Sequence, residues 1–255
     1  MPPSACRACR SEELDFDFTM AFQPIVDMKQ SKIWGYEALV RGLAGESAWS
    51  VLSQVTDENR YRFDQACRVK AIEAAARLFP SPDLRLSINF LPNAVYAPAA
   101  CIRKSLAAAE RVGFSRDRIM FEFTENEKIA DVAKITHIVN EYRRFGFITA
   151  IDDFGAGYAG LGLIAAFTPD MIKIDMELIR GIESHRSRQI IVAGIVAIAR
   201  QLGIEVLGEG VETEAELRLL LTLGIGLFQG YYFARAQIDR LPDLAPIEFS
   251  LSAVA

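Results

Sequence analysis

Apolar positions along the chain fall into short strand-like runs that alternate with longer segments of helical spacing. The runs "TMAFQPIVDM" and "KIWGYEALVRG" are separated by Lys29 to Ser31, a connection that suits a hairpin. The first strand is therefore expected to run antiparallel to the second. After them "RFDQACRVKAIEAAARLF" reads as a helix leading to the strand "LRLSINF", and a helix around "AACIRKSLAAAERVG" leads to "RIMFEFTE". The helix "DVAKITHIVNEYRRFG", closed by Gly146, precedes "FITAIDDFG". A short helix near Leu161 to Phe167 leads to "MIKIDMEL", "SRQIIVAGIVAIARQLG" to "EVLGEGVE", and "TEAELRLLLTLG" to "LFQGYYF".

Strand followed by helix, repeated, predicts βα units joined by right-handed crossovers. Eight strands in 255 residues, counting the opening hairpin, favour a closed (β/α) barrel over an open doubly wound sheet. No Gly-x-Gly-x-x-Gly leads from a strand into a helix, which argues against a dinucleotide fold. No interior linker rich in Pro, Gly or Ser interrupts the pattern. One domain is expected over residues 18–246, with tails at 1–17 and 247–255.

Composition narrows the picture a little. About half the residues are apolar, enough for a full core, and the net charge of −5 argues against a broad nucleic-acid-binding surface. Cys67 and Cys101 sit alone in helical contexts and read as small buried side chains. Cys6 and Cys9 form half of a zinc-type pair with no second half nearby. No apolar leader segment is visible at the start. The longest apolar run, Ile190 to Ala199, is half a membrane span and reads as a buried or interface helix. A soluble protein of the reducing cytoplasm, without a membrane partner, is the expectation.

In such a barrel the chemistry gathers at the C-terminal ends of the strands. There the chain places Glu37, Asn89, Glu122, Asp152 with Asp153, Lys173, Glu209 and Gln229, each at or near the end of an apolar run. Singly, each reads as a strand-end polar group or a helix cap. Together they set five carboxylates against one lysine, and a like-charged pair 4 Å apart costs about 4 kcal/mol at an effective dielectric near 20. Some carboxylates must protonate, or divalent cations must bind. Oxygen donors with one amide, and neither histidine nor thiolate, suit Mg²⁺, Mn²⁺ or Ca²⁺. The adjacent Asp152 and Asp153 are placed to bridge two ions, the usual arrangement for in-line displacement at a phosphodiester.

The motifs "FQPIVD", "YEALVRG", "SINFLP", "FEFTEN", "DDFGAGY", "IKID", "GEGVET" and "QGYYFAR" occur in that order over nearly all of the chain after the tail. In this the chain resembles the EAL-domain proteins, the bacterial cyclic-di-GMP phosphodiesterases. The resemblance implies a modified TIM (β/α)8 barrel with one antiparallel strand, two Mg²⁺ or Mn²⁺ ions, and hydrolysis of cyclic di-GMP to linear pGpG. It implies Glu37, Asn89, Glu122, Asp152, Asp153 and Glu209 as metal ligands, with Lys173 and Glu209 positioning and deprotonating the attacking water. Which of the two is the base stays open. Gln23, Leu39, Arg41 and Gln229 match substrate-binding positions, Arg41 through a phosphate. Glu125 matches the family glutamate that fixes the loop after the aspartates, and Glu212 a functional position that steadies a loop or supports the ligands from behind. The resemblance also implies a homodimer, and with no room for a sensor domain in the tail, control would fall to oligomerisation, a separate regulatory protein or the tail itself. The helix at Ile190 to Ala199 is a candidate dimer element.

The chain departs from the family pattern beside the aspartates, where D-D-F-G-T-G-Y-S-S is usual. Ala156 replaces the threonine, and Ala159 with Gly160 replaces the serines, so hydroxyls that would hold the loop are lost. Ala236 stands where the family has a proline. No expected metal ligand is replaced, and that favours an active enzyme over a catalytically silent cyclic-di-GMP sensor or interaction module. A lysine-dependent enolising enzyme with carboxylate-bound Mg²⁺ would account for Lys173 but not for the tandem aspartates, Asn89 and Arg41 together.

Overall fold

The computed structural model of the chain describes residues 14–124, 132–157 and 160–244. Cys6, Cys9, Glu125 and Ala159 lie outside the described residues. Strands β1 (Thr19–Asp27) and β2 (Lys32–Arg41) form the expected antiparallel hairpin, with Gln23 directly opposite Glu37. Strands β3 (Arg85–Asn89), β4 (Ile119–Thr124), β5 (Ile148–Phe154), β6 (Met171–Ile174), β7 (Glu205–Gly208) and β8 (Leu227–Phe228) follow, each parallel to the one before. β8 then meets β1 antiparallel, Val26 opposite Phe228, and the barrel closes. This is a modified TIM (β/α)8 barrel whose one antiparallel strand is β1. A two-residue strand that the apolar pattern does not announce, β9 (Gln237–Ile238), pairs with the start of β1.

Helices α1 (Ala48–Leu52) and α2 (Arg60–Leu78) join β2 to β3, and α3 (Pro98–Cys101) and α4 (Arg103–Val112) join β3 to β4. The single helix expected in that second connection is broken at Ile102. After β4 come α5 (Val132–Arg144), α6 (Gly160–Ala166), α7 (Met176–Ile179), α8 (Arg186–Leu202) and α9 (Glu214–Thr222). α4 and α8 end on Gly113 and Gly203 in the left-handed conformation that lets the last carbonyls find donors. α8 contains the long apolar run: Val192, Ile195, Val196 and Ala199 are buried, while Ile190, Ile191 and Ile198 face outward. Among the described residues no helix is long and apolar enough to cross a membrane. Cys67 and Cys101 are free and buried, and burial pushes the Cys67 thiol up, away from reactivity.

The two-residue period of a strand stacks the barrel interior in layers. Ile25, Met120, Ala150, Met171, Leu207 and Leu227 form one apolar cluster inside the barrel. Two residues along each strand toward the open end stand Gln23, Glu122, Asp152, Lys173, Glu209 and Gln229. The helix-facing residues, such as Phe121, Ile151, Ile172 and Phe228, join the larger core outside the sheet. The sheet register therefore decides which polar groups meet, because a slip of one residue would exchange inner and outer faces.

The loops after β7 and β8 approach closely at Gly230. A Cβ there would lie 2.1 Å from the Val211 carbonyl oxygen and 2.4 Å from the Val211 nitrogen. Gly230→Ala should accordingly cost about 1–3 kcal/mol and lower Tm by roughly 5 °C. Thermal unfolding followed by circular dichroism checks this; an unchanged Tm would mean that the two loops do not pack as described.

Candidate active site

Lys173 is fully buried in the barrel, and its Nζ is the hub of the polar layer. It lies 2.7 Å from Glu209 Oε1, 2.9 Å from Asp152 Oδ1, 3.1 Å from Glu122 Oε2 and 3.7 Å from Glu37 Oε2. Asn89 sits opposite Glu122 in the β3–β4 register, and its Nδ2 donates to Glu37 Oε1 and Glu122 Oε1, both at 2.9 Å. Gln229 Nε2 donates to Glu37 Oε2 at 2.6 Å and to Gln23 Oε1 at 3.2 Å. Seven of the eight sequence-predicted rim groups are thus joined directly around Lys173 and Glu37.

The adjacent aspartates pose a geometric problem, since neighbours on a regular strand face opposite sides. The structure resolves it with an irregularity in β5. The β5–β6 register shifts between Ile151 and Phe154, and Asp153 takes φ +52°, a left-handed conformation uncommon outside glycine. Both carboxylates thereby face the same cleft. Backbone strain of this kind, of order 1–3 kcal/mol, persists where the surroundings over-determine it.

Two carboxylate triads result, Glu37–Glu122–Asp152 and Asp152–Asp153–Glu209, each with ligand atoms within 4.8 Å of one another. Asp152 belongs to both. The donor set is entirely hard oxygen and carries more negative charge than one ammonium offsets, so it fits a pair of hard divalent cations. Burial, reinforced by Glu37 and Asp152 and opposed by Lys173, holds the Glu122 carboxyl well above its usual range. Burial and Asp152 do the same to Glu209. Asp153 is pushed up to about 6 by burial, then by Asp152 and Asp175. For Lys173 burial favours the neutral amine, but the surrounding carboxylates prevail and hold the ammonium well above its ordinary value.

The carboxylates form the waist of a two-lobed cleft. A polar lobe of about 260 Å³ is lined by Gln23, Asp175, Glu209, Glu212, Gln229 and Tyr231, among others. An apolar lobe of about 530 Å³ runs between Met20, Val40, Leu52, Phe63, Cys67 and Leu91. Glu37, Leu39, Asp152 and Asp153 line both. A larger cavity of about 710 Å³ lies away from this chemistry, between the Leu14–Phe18 segment and α2, and its polar lining is Asp15, Arg62, Gln65 and Lys104 with the surface pair Lys70–Asp17.

Arg41 is the predicted substrate residue that the structure leaves outside both lobes. It is half-buried at the end of β2, where Nη1 donates to the Val40 carbonyl at 2.7 Å. Glu212 lines the polar lobe and pairs with Arg180 at 2.6 Å. Its backbone N–H and that of Thr213 donate to Glu216, which also caps α9, so Glu216 holds this loop from the first turn of the helix. The sequence reading missed Ser87, whose hydroxyl donates to Glu122, and Asp175, which lines the polar lobe and caps α7 through the Glu177 N–H at 2.7 Å. Both were findable. Each stands two residues from a residue already singled out, on the same strand face: Ser87 before Asn89, and Asp175 after Lys173.

The family model for the EAL domain matches residues 7–236. The chain belongs to the EAL-domain family. A standalone EAL protein of Vibrio cholerae O395, solved with c-di-GMP bound, is 54% identical and superimposes with a TM-score of 0.89 over 93% of this chain and 99% of that one. Klebsiella pneumoniae BlrP1, solved with manganese and cyclic di-GMP, is 35% identical with a TM-score of 0.82, over 89% of this chain and 58% of that one. A cyclic di-GMP phosphodiesterase of Pseudomonas aeruginosa is 26% identical over 89% of this chain and 40% of its own length. This EAL domain spans about half or less of the length of the curated relatives it matches.

The raised carboxyls of this EAL domain set the sign of its pH response. A carboxyl whose folded pKa exceeds its unfolded value binds more protons in the folded state, so metal-free stability falls as pH rises through that interval. For Asp153 the interval runs from about 4 to the folded value near 6; Glu122 and Glu209 extend it upward. Melting in chelator should show Tm falling as pH is raised above about 4, and the increment from added Mn²⁺ should grow over the same range. Glu122→Gln, neutral and similar in shape, should flatten part of the chelator curve. Identical curves for this variant and the parent would show that the carboxylates are not coupled.

Proposed function

We propose that this chain hydrolyses cyclic di-GMP to linear pGpG, using two divalent cations, Mg²⁺ or Mn²⁺. The observation that carries the reading is Asp152, shared by two carboxylate triads beside a fully buried lysine. Glu37, Asn89, Glu122 and Asp152 would hold one cation, and Asp152, Asp153 and Glu209 the other. Cations held there lower the pKa of water and neutralise charge on phosphate oxygens. The chain's own residues do the rest. The two lobes on either side of the carboxylates receive the two halves of a cyclic dinucleotide, with one phosphate at the waist. Gln23, Leu39 and Gln229 contact that substrate from β1, β2 and β8, and Arg41 swings from the Val40 carbonyl to a phosphate, where its planar fork binds two oxygens.

Lys173 and Glu209, 2.7 Å apart, orient the attacking water and handle its proton. The water oxygen bonds to phosphorus as the phosphorus–ribose oxygen bond breaks, and the proton passes to the departing ribose oxygen. Linear product then carries one free terminal phosphate and one free ribose hydroxyl. The nucleotide substrate assigns the protein to the cytoplasm. The homodimer implied by the family would double the 28.3 kDa mass in light scattering, with a separate regulatory protein as the remaining source of control.

Incubation with cyclic di-GMP and either Mg²⁺ or Mn²⁺ should give pGpG on chromatography. Binding of the nucleotide with no turnover under either metal would replace the enzyme reading with that of a silent sensor. Glu37→Ala should reduce turnover by more than about 100-fold while the far-ultraviolet spectrum stays native, because it removes a ligand and the acceptor for Asn89 and Gln229. Arg41→Ala should raise KM by about tenfold with little change in kcat, the mark of lost ground-state binding. An unchanged KM contradicts the phosphate role of Arg41.

A further inference from the structure

Beneath the β3 and β4 exits lies an ion pair that the chemistry above does not use. Arg68 of α2 is fully buried and Asp64, one turn earlier, is 2% exposed. Arg68 Nη2 lies 2.7 Å from Asp64 Oδ2, and Nη1 donates to the Tyr142 hydroxyl at 2.7 Å. The guanidinium carbon sits 5.3 Å from the Phe90 ring centroid, 5.1 Å from that of Phe121 and 5.6 Å from that of Tyr142. A buried ion pair is rarely worth its desolvation as a source of stability, and apolar replacements of similar volume often serve as well. What distinguishes this one is its second acceptor. Asp64 Oδ1 accepts the Leu91 N–H at 2.9 Å, just beyond the last ladder bond, in which the Phe90 N–H donates to the Glu122 carbonyl.

We propose that the Asp64–Arg68 pair is a positioning device for Asn89: it fixes the backbone beyond β3 so that the Asn89 amide is held between Glu37 and Glu122. Asn89 is the last residue of its strand, so the direction of its side chain depends on where the chain goes next. Asp64 grips that chain two residues on. Arg68 holds Asp64 in place, and two of the three rings around it belong to Phe90 and Phe121, the sequence neighbours of Asn89 and Glu122. The pair therefore reaches both strands one residue away from two expected cation ligands. Outer groups that orient metal ligands commonly change metal affinity by 10- to 100-fold when removed.

The inference rests on the proposed cation site, and Mn²⁺ binding by the full chain, followed by calorimetry and by the resonance of free Mn²⁺, separates the two. Asp64→Asn keeps the shape but gives Arg68 the sole side-chain oxygen, so Leu91 loses its acceptor; Mn²⁺ should bind about tenfold or more weakly. In D64N/R68M no arginine competes, the asparagine oxygen turns to the Leu91 N–H, and affinity should return to within about threefold of the parent. This rescue is what a merely stabilising role would not produce, since the double variant lacks the ion pair altogether. Tm of both variants is measured alongside. A parent that binds no Mn²⁺ overturns the cation site itself. A parent that binds, with D64N equal to it or with D64N/R68M as weak as D64N, overturns the positioning role alone.

Discussion

Lys173 is fully buried behind Glu37, Glu122, Asp152 and Glu209, and among the described residues its ammonium is the only positive charge those carboxylates pair with. Four negative charges around one positive charge leave a deficit that the protein alone meets only by keeping some carboxyls protonated, the direction in which Glu122 and Glu209 are pushed. A divalent cation relieves the same deficit by another route. The site is therefore built around an electrostatic imbalance, and its fitness for hard cations and the raised carboxyls have a common origin.

The barrel makes that imbalance tolerable by separating it from the core. An apolar layer of Ile25, Met120, Ala150, Met171, Leu207 and Leu227 sits beneath the charged one, with strand alternation keeping the two apart. Neither layer forms without the closure of β8 on β1, because the antiparallel hairpin brings Gln23 and Glu37 to the same level as the carboxylates of the parallel strands. The exception to alternation lies at the carboxylates themselves. The β5 irregularity and the left-handed Asp153 turn one extra carboxylate into the cleft and create the second triad.

Around this centre further polar side chains, buried or half-buried, hold the backbone in place. Glu216 gathers the backbone N–H groups of Gly181, Glu212 and Thr213, fixing the loop that presents Glu212. Asp170 accepts from both the N–H and the hydroxyl of Thr149 at the entry to β5. The Asp64–Arg68 pair does the equivalent beneath β3. Such groups contribute little net stability for their desolvation, and their value lies in holding a unique geometry where ligands must converge within a few tenths of an ångström.

The chain's own pattern was sufficient for much of this. Alternating strand and helix spacing gave the barrel, the short Lys29–Ser31 connection gave the antiparallel strand, and the recurring polar residues gave Glu37, Asn89, Glu122, Asp152, Lys173, Glu209 and Gln229, because strand period and barrel topology are local and repetitive properties. The linked motifs identified the family for the same reason. Other features depend on contacts between segments far apart in sequence. Which carboxylates share Asp152, how Asp153 turns inward, that Arg41 rests on a carbonyl outside the cleft, and that β9 and the split of α3 from α4 exist at all were decided by tertiary structure. Sequence spacing fixes which face of a strand a side chain occupies; only closure of the barrel fixes which other side chains it meets there.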